Sequence, residues 1–242
     1  NGDEAQLVYQ FSLPPFLLYT LYTGNANYLN SWLTSLADPP EGCTFLNFTA
    51  SHDGIGVRPL EGLLSHNELD MLFKGMLKFG GRLSYRKNKD GTESVYEINI
   101  AYFDALKGTS EGEDDKQIAR FLCSQLIMLS LKGIPAVYIH SMLATPNDYE
   151  GMKLTGRFRS INRKKYLDTE IESLLSENTV NRHVFNELKR IVDIRKKQPA
   201  FHPDSAQQVI KTGDHFVSFR RINQTLNEEI ICISNITNKE QE

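Results

Sequence analysis

The polar cluster Ser51-His52-Asp53-Gly54 follows directly on an apolar run, Cys43 to Thr49, that reads as a buried strand. In a parallel βα architecture, groups at the C-terminal end of a strand stand where active sites collect. A carboxylate at Asp53 could stabilise positive charge that develops in a transition state, and the His52 imidazole could donate to a substrate hydroxyl. Asp-Gly is also a common turn, so on spacing alone both readings stay open.

Other candidates carry weaker patterns. Arg157, Arg159, Arg163, Lys164 and Lys165 form a local basic cluster, for which a solvated face is the plain reading. His140 ends an apolar stretch and could line a site or pack at its rim. His66, His183, His202 and His215 lack metal-ligand spacing, and no metal or other cofactor is expected. Gly54 and Gly56 do not open a phosphate-cradling G-x-G-x-x-G, Glu61 reads as a surface residue, and Tyr102 and Phe103 read as core.

The elements that must position these residues alternate. Leu7 to Phe11 reads as a strand, Phe16 to Tyr22 as an apolar helix stopped by Gly24, and Asn27 to Leu36 as a second helix. After the strand at Cys43 to Thr49 comes a helical stripe from Glu68 to Phe79. A turn at Asn88 to Gly91 then separates two short strands, so residues 59–94 read as an excursion. Asp114 to Leu131 is a long helix, Gly133 to His140 a strand, Ser141 to Tyr166 a long loop, and Asn181 to Lys197 an amphipathic helix. Beyond Pro203 the pattern becomes antiparallel strands: Gln208 to Lys211, His215 to Arg221 and Glu229 to Asn235. A boundary is therefore expected near residue 203, dividing 1–202 from the start of an all-β domain at 203–242 that is too short to close a sandwich. The earlier part is an α/β unit, either a small open sheet or a piece of a barrel, since a closed barrel needs eight strands and roughly 250 residues.

Composition sets the class. The chain has 242 residues, 40% hydrophobic and 24% charged, as in an ordinary globular protein. A formal charge of −3 gives no footprint for nucleic acid or an anionic membrane, so neither is expected as a partner. Ile118 to Leu131 is too short and too polar to span a bilayer, and no signal peptide is expected. Cys43, Cys123 and Cys232 form no disulfide framework or zinc pattern, which favours a reducing compartment, the cytoplasm. The sequons at Asn47, Asn223 and Asn235 are read as chance, because Asn47 falls in the buried strand.

The segment FLNFTASHDGIGVRP resembles the fourth sequence motif of the α-amylase family, in the form seen in its sucrose phosphorylase-like group. VYQFSLPP, GGRLSYRKNKDGTESVYEINIAYFDAL, SLKGIPAVYIHSML and NDYEGMKLTGRFRSINR are similar to other segments of that group, in the same order. The resemblance implies the C-terminal portion of such an enzyme: a partial (β/α)8 TIM barrel, its sixth to eighth strands, followed by an antiparallel domain. It implies Asp53 as the catalytic, transition-state-stabilising carboxylate. Among substrate-binding residues it implies His52, Arg159 as a holder of the glucosyl unit, and Tyr96 and Glu97 in a mobile loop on the acceptor and phosphate side. Glu97 stands where sucrose phosphorylases usually have glutamine, and resembles relatives acting on glucosylglycerate, glucosylglycerol or phosphorylated sucrose.

The implied activity is retaining transfer of a glucosyl unit between a glucoside and inorganic phosphate; α-amylase-family hydrolysis or transglucosylation, or a non-catalytic interaction module, are the alternatives. The family's nucleophilic aspartate and acid/base glutamate precede the sixth strand, and Asp3 and Glu4 do not match them. The chain alone is therefore expected to be inactive, and either to self-associate through strand edges that lack neighbours or to be poorly stable.

Overall fold

The structure, a computed structural model, describes residues 5–176 and 178–241. Asp3 and Glu4 lie outside the described residues. The chain opens with β1 (Leu7–Tyr9), α1 (Leu13–Thr23), α2 (Asn27–Ser35) and β2 (Thr44–Asn47). It continues through β3 (Ile55–Gly56), α3 (His66–Lys78), β4 (Arg82–Lys87), β5 (Glu93–Asn99) and α4 (Tyr102–Ala105). A short hairpin, β6 (Gly108–Thr109) and β7 (Gly112–Glu113), leads into α5 (Gln117–Ser130) and β8 (Ile134–Pro135). Then come α6 (Ile139–Met142), α7 (Tyr149–Thr155), a 3-10 turn (Phe158–Asn162), α8 (Asp168–Leu174) and α9 (Val180–Lys197). The last strands are β9 (Ala206–Val209), β10 (Phe216–Asn223) and β11 (Glu228–Asn235).

The fold is mixed α/β. β1, β2 and β8 form a parallel sheet in that order, with Leu7 opposite Thr44 and Leu46 opposite Ile134. Helices separate these strands in sequence, as parallel pairing requires. Helix α1 is apolar all round, and Leu13, Phe16, Leu17, Leu18 and Leu21 are buried, so it forms the centre of the core. Pro14 and Pro15 fit its first turn, where no intrahelical N–H partner is needed. Gly24 ends it at φ 68°, a left-handed conformation that side chains resist, and its N–H donates to the Thr20 carbonyl at 2.9 Å.

Helix α3 begins two residues before the expected Glu68, because Ser65 and Glu68 form a reciprocal capping box. The Glu68 carboxylate also accepts from Tyr19 at 2.7 Å and Tyr28 at 3.3 Å, tying α3 to α1 and α2. Strands β3, β5 and β4 form a second, antiparallel sheet, which returns the expected excursion to the main body.

Several expectations are corrected. The strand expected over Gly133 to His140 pairs only at Ile134–Pro135, and His140 lies on α6. The ladder ends with one more bond, from the Ala136 N–H to the Asn47 carbonyl, after which the chain turns into α6; Pro135 is tolerated because its nitrogen faces the free edge of the sheet. The long loop from Ser141 to Tyr166 contains α7 and the 3-10 turn; Asp148 caps α7, accepting from the Gly151 N–H at 2.9 Å. Asn47 is 2% exposed and donates to the Lys132 carbonyl, so a glycan has no access to it.

Strands β11, β10 and β9 form the antiparallel C-terminal sheet. Its inner face contributes Val217 and Phe219 to the same hydrophobic core as α1 and α5. The buried Arg221 bolts it down, donating to the carbonyls of Ser130, His202 and Ser205 at 2.9, 2.8 and 3.3 Å. Burial, reinforced by nearby Arg195, pushes its guanidinium down to about 10. No described helix is long and apolar enough to cross a membrane.

Candidate active site

β2 delivers its C-terminal end into the segment Ser51-His52-Asp53-Gly54. The Thr49 hydroxyl accepts from Gln125 on α5 at 2.9 Å, which fixes the point of departure. The Asp53 N–H donates to the Ser51 hydroxyl oxygen at 3.1 Å, and the Gly54 N–H donates to Glu97 Oε1 at 3.1 Å. A side chain at residue 54 has no room: a β-carbon there would lie 2.6 Å from Glu97 Cγ and 2.6 Å from the Ile98 carbonyl oxygen.

Tyr96 and Glu97 lie on β5 and not in a loop. The β4–β5 register jumps between Ser84 and Tyr85, which pair with Glu97 and Val95, so Tyr96 is the extra residue of a bulge. Such a bulge re-aims adjacent side chains. Glu97 ends up 3% exposed, whereas Tyr96 is half-buried and neighbours Arg159.

Arg159, on the 3-10 turn, bridges the two carboxylates. Its Nη1 is 2.8 Å from Asp53 Oδ1, its Nη2 is 2.9 Å from Glu97 Oε1, and its Nε donates to Glu97 Oε2 at 3.0 Å. This two-bond fork to Glu97 is the pairing that arginine geometry favours. The hydrogen bonds to Glu97, followed by the charges of Glu97 and Asp53, raise the Arg159 guanidinium above its ordinary value. His52 is the outlying member: exposed, with Nε2 3.8 Å from Asp53 Oδ2. All five residues expected at the site thus fall in one neighbourhood, drawn from the β2 exit, β5 and the segment after β8.

Two residues not singled out for the site join it. Arg163 Nη2 donates to Asp53 Oδ1 at 3.1 Å, and Asn162 donates to the carbonyls of Ser51 and Asp53. Their sequence signals are the place of Arg163 in the basic run, which a solvated face would explain as well, and the position of both at the end of the NDYEGMKLTGRFRSINR segment, neither of which assigns them a role. His140 packs its ring against Tyr138 and Tyr166 and pairs Nδ1 with the Thr145 hydroxyl. Burial pushes its imidazole below the usual value, against a smaller opposing effect of Asp148.

The cavity at Asp53, bordered by Phe11, Phe48, Ser51 and Asn162, holds only about 50 Å³. Sites for small molecules run to several hundred Å³, so this cavity by itself is too small to enclose a drug- or sugar-sized ligand. The aromatic cluster Tyr9, Phe11 and Phe48 lies at the same sheet end; Tyr9 is 58% and Phe11 67% exposed. Among the described residues no group of three or more His, Cys, Asp or Glu is placed to hold a metal ion.

No family model matches this sequence. It is 44% identical to glucosylglycerate phosphorylase of Escherichia coli strain K12 over 206 residues, covering 85% of this chain and 37% of that protein. It is 38% identical to glucosylglycerate phosphorylase of Allomeiothermus silvanus over 244 residues, covering 100% of this chain and 43% of that protein. A sucrose phosphorylase of Streptococcus mutans is 30% identical over 225 residues. The chain spans about two-fifths of the length of the curated relatives it matches. The crystal structure of sucrose 6F-phosphate phosphorylase from Thermoanaerobacter thermosaccharolyticum superposes with a TM-score of 0.79 at 25% identity, over 97% of this chain and 44% of that one. An α-amylase from H. orenii, 13% identical with a TM-score of 0.53, shares the fold.

Proposed function

We propose that this chain, whose sequence is similar to the C-terminal part of the sucrose phosphorylase-like enzymes of the α-amylase family, forms one wall of a retaining glucosyl-transfer site. The observation that carries the reading is the Asp53–Arg159–Glu97 chain of ion pairs at the C-terminal end of β2. Asp53 stabilises the oxocarbenium-like transition state, and Arg159 and His52 hold the glucosyl unit. Tyr96 and Glu97 shape the acceptor and phosphate side.

The parallel order β1-β2-β8 supports the assignment of these strands as the last three of an eight-stranded barrel, with 203–242 opening the C-terminal domain. Residues 59–94 would then be an insert, held by the β3–β5–β4 sheet. A retaining mechanism needs a nucleophilic and an acid/base carboxyl about 5 Å apart across the anomeric carbon. Both would come from parts of the enzyme outside this chain, which alone would be inactive. The three free cysteines support a reducing, cytoplasmic setting.

The names of the relatives put glycerate first among acceptors to try. The full-length enzyme, given α-glucose 1-phosphate, should release phosphate rapidly with glycerate as acceptor, and more slowly with fructose or glycerol. Free glucose as the main product, with phosphate release indifferent to acceptor, would make the enzyme a hydrolase and overturn the reading.

A further inference from the structure

We infer that Asn162 and Arg163 are the positioning residues that hold the Asp53 carboxylate in line, a role resting on the glucosyl-transfer reading above. Three successive carbonyls, those of Ser51, His52 and Asp53, all accept from this one pair of side chains. Asn162, 5% exposed, uses both amide hydrogens, at 2.6 Å to Ser51 and 3.0 Å to Asp53. Arg163 Nε donates to the His52 carbonyl at 2.5 Å, and its Nη2 continues to Asp53 Oδ1. The segment has no strand ladder of its own, so these bonds replace one. Asn162 is itself anchored, its carbonyl accepting from the Tyr138 hydroxyl at 2.9 Å.

The division of labour between the two arginines follows from their partners. Arg159 commits Nε and Nη2 to Glu97 and only Nη1 to Asp53, so its position follows β5. Arg163 grips both the backbone and the carboxylate of the segment that carries Asp53, so it moves with that segment. When a ligand engages Arg159, Arg163 still holds Oδ1. Both arginines bind Oδ1, whereas Oδ2 has His52 Nε2 at 3.8 Å, and it is this oxygen that is left for the reacting centre. Misplacing such a group by about 1 Å can cost about 10²-fold in rate.

The test uses the full-length enzyme with α-glucose 1-phosphate and glycerate, comparing wild type, Arg163→Ala, Arg163→Lys and Asn162→Ala. Arg163→Ala should lower kcat by about 10²-fold while KM for glucose 1-phosphate stays within about threefold. Added guanidinium ion should restore about tenfold of the loss in Arg163→Ala and none in Asn162→Ala, a rescue that a merely structural role would not give. A kcat within about threefold of wild type, or a loss matched by the unfolded fraction and deaf to guanidinium, overturns the assignment. If Arg163→Ala fails to fold, Arg163→Lys decides: it keeps the charge but not the fork, and kcat equal to wild type sinks the proposal. A wild-type enzyme without glucosyl transfer overturns the proposed function and this assignment with it. An active wild type beside an unimpaired Arg163→Ala overturns the assignment alone.

Discussion

Glu97 sits against Gly54 so closely that its carboxylate accepts the Gly54 N–H at 3.1 Å and its Cγ occupies the space of a β-carbon. The second obstruction, the Ile98 carbonyl oxygen, is backbone and cannot swing aside. Gly54→Ala should therefore push β5 and the Asp53 segment apart. A cost of about 1–3 kcal/mol is expected for such overpacking. At about 2–4 °C per kcal/mol for a chain of this size, thermal unfolding should show it. An unchanged melting temperature would mean that the two segments are not locked together.

Asp53 has a separate test in the full-length enzyme. Its carboxylate is asked to act on charge that appears in the transition state, so Asp53→Asn should lower kcat and leave KM nearly unchanged. The expected loss is at least about 10²-fold, or about 2.7 kcal/mol. Asn is nearly isosteric, so the melting temperature should move little. Turnover within about threefold of wild type, with altered stability, would leave Asp53 as a turn residue before Gly54.

His140 gives the fold a pH dependence of known sign. Burial holds its folded-state value below the unfolded 6.5, so the unfolded chain takes up the proton first as pH falls. The contribution of the neutral imidazole is intact above pH 6.5, declines as pH falls below it, and is fully lost below the folded value. Melting temperatures of wild type and His140→Asn, compared at neutral and mildly acidic pH, should show a smaller acid decline in the variant. Equal declines would place the acid sensitivity elsewhere.

The isolated chain should self-associate. β1 and β8 are both edges of their sheet, and Leu7, Val8, Tyr9 and Phe11 are 44, 48, 58 and 67% exposed. Unpaired edges beside apolar surface are templates for pairing with another chain. Light scattering or sedimentation at micromolar concentration should find species larger than 27.6 kDa. A monomer with a high melting temperature would contradict this.

The sequence by itself determined the elements whose signals are local. α1 was written in an apolar run closed by Gly24, α9 in an amphipathic stripe, and the β9–β11 sheet in alternation after Pro203. The motif around His52 and Asp53 likewise pointed to the β2 exit, and its resemblance to known enzymes brought Arg159, Tyr96 and Glu97 to the same site.

Tertiary structure decided the rest, because pairing and packing act between residues far apart in the chain. The shortness of β8 is set by where the chain leaves Asn47, after the Ala136 N–H bonds its carbonyl, and turns into α6. The bulge that re-aims Tyr96 exists only in the register with Ser84 and Tyr85. Arg163 stands in a basic run and at the end of a segment similar to the family's, but neither names its partner until the fold carries it across 110 residues to Asp53. A side chain's charge is legible in sequence, but its partner is fixed by distance in space, and only the folded chain sets that.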